Sequence, residues 1–145
     1  MMSAQTYEVG HKLDPVSYKP LTRTDIVRYA GASGDFNPIH HDEGFASKAG
    51  FPTVFSIGMY QAGLLANYAA DQFGPRNVRK VNLRFSNQVW PGDVLRCSGT
   101  VVGVNATPEG QQIELDLSCD RKGEDGSEGT AISATMTFLL PKSAG

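Results

Sequence analysis

Ser56-Ile-Gly-Met-Tyr-Gln-Ala-Gly-Leu-Leu-Ala-Asn-Tyr-Ala-Ala-Asp-Gln-Phe73 is the longest helical stretch of this chain, and its composition decides how everything else is arranged. Apolar or small residues fall on nearly every side: Ile57, Gly58, Met59, Ala62, Gly63, Leu64, Leu65, Ala66, Tyr68, Ala69 and Ala70. A helix that is apolar all round is a buried one. The glycines cost helix propensity, yet they and the alanines at 62, 66, 69 and 70 let another backbone come close. Such a helix suits enclosure by a sheet.

The sheet follows Gly74-Pro75. Val81, Leu83 and Phe85 alternate with Lys80, Asn82 and Arg84, and Trp90-Pro-Gly-Asp93 turns the chain. Val94–Val104 reads as a long strand with Gly99 and Gly103 at bulge or bend positions, and Asn105–Gly110 as a second turn. Ile113, Leu115, Leu117 and Cys119 then alternate with polar residues, and 120–129 is a polar, glycine-rich loop. Ile132, Ala134, Met136, Phe138 and Leu140 give the clearest two-residue period. Helices first and hairpin-connected strands last make the class α+β with an antiparallel sheet.

Before the central helix, residues 1–15 are polar and mixed, with a frayed start, and Val16–Leu21 reads as a short strand ended by Pro20. Thr22 caps a helix, with Asp25 as the acidic partner at its positive end and Ile26, Val27, Tyr29 and Ala30 as its apolar face. That helix should end near Gly31. A second short helix fits Glu43–Ala49, stopped by Gly50. Between them, Gly34-Asp-Phe-Asn-Pro-Ile-His40 cannot be regular helix, because Pro38 pushes Asn37 out of the helical region. The turn sets an acid, Asp35, close to an imidazole, His40. Moving a proton on and off water near neutral pH needs such a pair. A second reading is that Asp35 and Asn37 cap a turn and His40 starts a surface helix.

Tyr29, Ser33, Gly34, Asp35, Asn37, Pro38, Ile39, His40 and Ala46 together resemble the signature of the MaoC-like dehydratases, the (R)-specific enoyl-CoA hydratases. The resemblance implies a hot-dog fold over 1–145 as one domain, with the sheet wrapped around Ser56–Phe73. It implies that Asp35 and His40 bind and activate one water, with Asn37 orienting the site. It implies an oxyanion donor in the backbone N–H of Gly58, at the positive end of the central helix. The family usually places His before its Gly-Met pair; here Ile57 stands there. An isoleucine at the mouth of the helix offers a branched apolar surface and no hydrogen bond. The expectation is a preference for long or bulky acyl groups over crotonyl-CoA.

The implied substrate is an enoyl thioester of coenzyme A, or of an acyl carrier protein, with no metal or redox cofactor. Sites in that family lie between two hot-dog units, so the chain should at least dimerise, as a homodimer or within a heteromer. Arg76, Arg79, Lys80, Arg84 and Arg96 form the densest basic region, fit to meet coenzyme A phosphates or a carrier protein, or simply a solvated face. Two rival readings stay open: a non-catalytic subunit shaping a partner's acyl tunnel, and a hot-dog thioesterase.

Composition limits the rest. At 145 residues, 19% charged and 40% apolar, the chain is long enough for one sizeable core. A net charge of -2 argues against nucleic-acid binding. No apolar run approaches the roughly eighteen residues of a membrane span, so a cytoplasmic location is expected. Cys97 and Cys119 should be free, buried thiols. His41 and Asp42 follow His40 without completing a metal-ligand set.

Overall fold

The computed structural model describes residues 5–142, so the expected fraying of residues 1–4 lies outside the described residues. The elements run β1 (Lys12–Ser17), α1 (Arg23–Ser33), a 3-10 turn (Pro38–His40), α2 (Glu43–Lys48), α3 (Gly58–Phe73), a second 3-10 turn (Pro75–Asn77), β2 (Val78–Phe85), β3 (Val94–Thr107), β4 (Gly110–Lys122) and β5 (Glu128–Pro141). The strands form one antiparallel sheet in the order β1-β3-β4-β5-β2. The α+β class and the enclosing sheet are therefore present, and the arrangement is the hot-dog fold.

Alternation sets the inner face of the sheet. Leu95, Cys97 and Val101 of β3, Ile113, Leu115, Leu117 and Cys119 of β4, and Ile132, Ala134, Met136 and Phe138 of β5 are all buried. Onto them α3 lays Ala62, Leu65, Ala69 and Phe73, which recur at helical spacing along one stripe. The Phe73 and Phe138 rings stack at 5.1 Å, and Tyr68 Oη–H donates to the Asp14 carbonyl at 2.8 Å, tying the helix to β1. Each fully buried leucine or phenylalanine stabilises the fold by roughly 1.5–3 kcal/mol relative to exposure.

The structure corrects several sequence expectations. The helix α3 begins at Gly58 rather than Ser56, with Ile57 as its N-cap. It is not enclosed all round: Met59 is 53% exposed and Asn67 faces outward. The first strand is Lys12–Ser17, earlier than Val16–Leu21, and its register slips between Leu13 and Val16, where Pro15 has no N–H to offer. The β3–β4 hairpin pairs as far as Thr107 and Gly110, leaving only Pro108 and Glu109 as its loop. Much of the expected 120–129 loop is strand, with Gly123–Ser127 alone connecting β4 to β5. Val81 and Phe85 lie on the core side of β2, opposite Met136 and Ile132, yet are 39% and 54% exposed, β2 being an edge strand of the sheet.

The two flagged glycines of β3 do different work. A register shift falls between Val101 and Gly103, a bulge that curves the sheet around α3. Gly99 stays in register and makes room: a Cβ there would meet Leu117 Cδ2 at 2.5 Å and Leu13 Cδ1 at 3.1 Å. Gly31, inside α1, has open space around its Cα. One substitution should therefore have opposite signs at the two sites. Gly99→Ala overpacks and should cost about 1–3 kcal/mol, whereas Gly31→Ala should gain about 0.5–1 kcal/mol from helix propensity. Urea unfolding of both variants checks this, and a stable Gly99→Ala would remove the close-packing account of that strand.

Candidate active site

Two helices hold the 35–40 turn between them. Thr22 and Asp25 form a reciprocal capping box at the start of α1, Thr22 Oγ1 accepting from Asp25 N at 3.1 Å and Asp25 Oδ2 accepting from Thr22 N at 2.9 Å. Those bonds hold the Asp25 carboxyl below its ordinary pKa. α1 passes through Gly31 and ends at Ser33, where Gly34 takes the left-handed conformation (φ +74) and donates to the Ala30 carbonyl at 2.9 Å. Asp42 caps α2 through Phe45 N at 3.0 Å. Arg23 bonds Glu43, and Thr53 Oγ1 donates to the same carboxylate, bracing α1 against α2.

Within the turn, the capping reading holds in part. Asp35 Oδ1 accepts from Asn37 N at 3.3 Å, and Asn37 Oδ1 accepts from Ile39 N at 3.1 Å, so both residues shape the backbone. His40, however, does not start a surface helix. It is buried in the 3-10 turn, and its Nδ1 lies 2.7 Å from the Phe55 carbonyl. A carbonyl only accepts, so Nδ1 carries the hydrogen and the neutral ring keeps its lone pair on Nε2. Nε2 in turn stands 3.8 Å from Asp35 Oδ2. That gap is too wide for a direct hydrogen bond and leaves room for one oxygen atom within reach of both groups.

The Phe55 carbonyl was not visible as a site element in the sequence. Its ring meets His40 edge-on at 5.4 Å and Trp90 at 5.5 Å, with Phe51 at 4.8 Å on the same side. Ser56 N donates to the Val89 carbonyl at 2.8 Å, fixing the chain just before α3. The Trp90–Asp93 turn that supports this wall is anchored in the interior. Asp93, buried, accepts from Trp90 N at 2.8 Å and from Arg121 Nε at 2.6 Å and Nη2 at 3.0 Å. The carboxylate holds the Arg121 guanidinium above its ordinary pKa.

Gly58 is the first residue of α3, and its N–H has no backbone partner among the described residues. It borders a cavity of about 210 Å³ lined also by Phe55, Ser56, Gln61, Phe85, Ser86, Asn87 and Gln88. A Cβ at Gly58 would meet the Phe85 ring at 3.0 Å, so glycine is what lets that ring close over the helix start. Ile57 does not line this cavity. It is 4% exposed, turned inward as an N-cap with no oxygen to offer the helix, and the apolar wall expected from it is absent. Of the basic residues, Arg76, Arg79, Lys80 and Arg84 lie on or beside β2, while Arg96 lies on β3 across the sheet from them. Cys97 and Cys119 face each other across β3 and β4 as free, buried thiols. Among the described residues no three His, Cys, Asp or Glu side chains are grouped to hold a metal ion, and no helix is long and apolar enough to cross a membrane.

Comparison with known proteins gives one family. The family described as MaoC like domain matches residues 4–120. The peroxisomal hydratase-dehydrogenase-epimerase of Saccharomyces cerevisiae is 36% identical over 95 residues, which are 65% of this chain but 10% of that protein. The (R)-specific enoyl-CoA hydratase of Rhodospirillum rubrum is 30% identical over 125 residues, covering 85% of this chain and 82% of that one. The ChsH1-ChsH2 complex of Mycobacterium tuberculosis superposes with a TM-score of 0.76 at 26% identity, over 93% of this chain and 99% of that one.

The buried Asp93–Arg121 pair predicts a large and specific effect. Asp93→Ala leaves a guanidinium buried without its partner and should cost about 3–5 kcal/mol. The midpoint of thermal unfolding checks it: a shift no larger than that of an exposed control such as Glu109→Ala would mean the pair does not hold the turn.

Proposed function

This chain belongs to the MaoC-like family, and from that premise we propose that it adds water to trans-2-enoyl thioesters of coenzyme A, giving (R)-3-hydroxyacyl thioesters, or removes water in reverse. The observation that carries the reading is the 3.8 Å gap between Asp35 Oδ2 and a His40 Nε2 whose opposite nitrogen is pinned as a donor. A water held there gives one proton to the pair as its oxygen bonds to C3, and the pair delivers one proton to C2. The two groups act on one water, so the proton is assigned to the pair and not to either residue alone. Asn37 keeps the turn that aims them.

Charge that builds on the thioester oxygen needs a donor already in place. The Gly58 N–H at the positive end of α3 supplies it, and Ile57 serves by fixing that amide from beneath rather than by touching the acyl group. Lys80 and Arg84, exposed on β2, suit the phosphates of coenzyme A. The reaction class fits a cytoplasmic protein whose two thiols stay reduced.

The same reading asks for a second copy. β2 has one unpaired edge carrying the exposed Val81 and Phe85, and of these Phe85 lies against Gly58, next to the exposed Met59. Covering these residues would close the site from water, and a homologous partner chain could serve as well as an identical one. Light scattering should give twice the 15.6 kDa chain mass, and Val81→Asp should halve it. A monomer active at the wild-type rate would end the two-copy reading.

Catalysis is tested on the pair itself. Asp35→Asn and His40→Ala should each lower kcat by roughly 10² to 10⁴, and the double variant should lose little more, because the two form one unit. Turnover of crotonyl-CoA, followed with chiral analysis of the product, is the measurement. Near-wild-type rates in either single variant would take that residue out of the mechanism.

A further inference from the structure

Gln61 sits in the first turn of a helix that is otherwise apolar or small toward the core, and it is 2% exposed. Burying a primary amide is costly unless both its ends are satisfied. Its Oε1 accepts from Ser56 Oγ–H at 2.7 Å, and Ser56 is itself buried. Its Nε2 donates to no group among the described residues, and it is not sealed in the interior either. Gln61 lines the cavity beside Gly58, so that space is where its free amide can meet a partner. One end of the side chain is thus fixed by Ser56 while the two N–H donors of the other are left for something that enters.

The walls say what enters. The rings of Phe55 and Phe85 give apolar walls fit for a hydrocarbon chain beside a polar rim of Ser86, Asn87 and Gln88, and the 210 Å³ volume holds about seven groups the size of a water molecule. Asn87, on the same rim, is already spent, its Nδ2 donating to the Thr130 carbonyl at 2.7 Å. Phe55 and Gly58 are shared with the reaction site, one through its carbonyl on His40 and the other through its amide. The cavity therefore adjoins the reaction site, where the portion of a thioester next to the reacting carbons would lie.

We propose that Gln61 makes this cavity a polar acyl subsite, selecting enoyl thioesters that carry a hydroxyl, oxo or ether oxygen on the acyl chain over plain hydrocarbon ones. The proposal rests on the hydratase reading for its substrate and adds the class of acyl group. An unsubstituted chain in this cavity strips water from the Gln61 donors and gives nothing in return, and sites built to hydrogen-bond a group discriminate strongly against analogues that lack it. The role is one of specificity, so its effect falls mainly on KM.

The experiment compares trans-2-octenoyl-CoA with its 5-, 6-, 7- and 8-hydroxy and oxo forms, in the wild-type protein and in Gln61→Leu. At least one oxygenated form should be favoured by about 10-fold or more in kcat/KM, chiefly through KM, and Gln61→Leu should erase that preference by raising KM for the oxygenated form. Gln61→Met, unbranched and of similar length, gives the same reading if the leucine variant does not fold. Octenoyl-CoA being handled as well as every oxygenated form, or a preference that survives loss of Gln61, overturns the proposal. Calorimetric binding of octanoyl-CoA and its hydroxylated forms to the same proteins separates the two failures. Absence of hydration condemns the reaction assigned above, whereas equal binding of plain and oxygenated chains condemns the subsite.

Discussion

One constraint governs the molecule: α3 must lay a single stripe of Ala62, Leu65, Ala69 and Phe73 on a curved antiparallel sheet while keeping its N-terminus free. The burial is what the strands are shaped for. Gly99 thins β3 where Leu13 and Leu117 meet, the bulge at Val101–Gly103 bends it, and Tyr68 hooks the helix to β1. Because the stripe fixes both rotation and slide of the helix, it also fixes where the unbonded Gly58 amide points. Core packing and amide placement are the same event.

The site is completed by a single short bond across layers. His40 belongs to the helical turn outside the sheet, and Phe55 belongs to the lead-in of α3; the 2.7 Å contact between ring and carbonyl joins them. Around it, the brace of Arg23, Glu43 and Thr53 holds the outer layer rigid, and the Asp93–Arg121 pair holds the Trp90 turn behind Phe55. Both ion pairs act on position. The exposed Arg23–Glu43 pair contributes little to stability as an isolated pair, but it spans the two helices that flank the Asp35–His40 turn.

How much of this the sequence carried depends on how local each signal was. The Thr22–Asp25 capping box, the α+β order and the two-residue period of β5 are written in neighbouring residues and are all present. Boundaries shifted where tertiary pairing overrode local punctuation. Gly31 lies inside α1 because the left-handed stop is Gly34, and β4 runs through Asp120–Lys122 because β3 and β5 flank it. The Phe55 carbonyl gave no signal, since every residue has one. Asp93 and Arg121 are 28 residues apart, and nothing in either segment names the other. Gln61 gave no signal of its own, being one of three amides in the stretch with Asn67 and Gln72, and burial alone sets it apart from those two exposed residues.

Under the reaction proposed above, the pinned imidazole also has a stereochemical consequence. With Nδ1 committed to the Phe55 carbonyl, Nε2 is the only ring atom through which a proton can come or go, and its carboxylate partner stands 3.8 Å away on the same side. Under the hydration chemistry proposed here, the oxygen bound for C3 and the hydrogen bound for C2 start from this one small region. The two new bonds therefore form on one face, and the geometry of a single histidine tautomer dictates a syn addition.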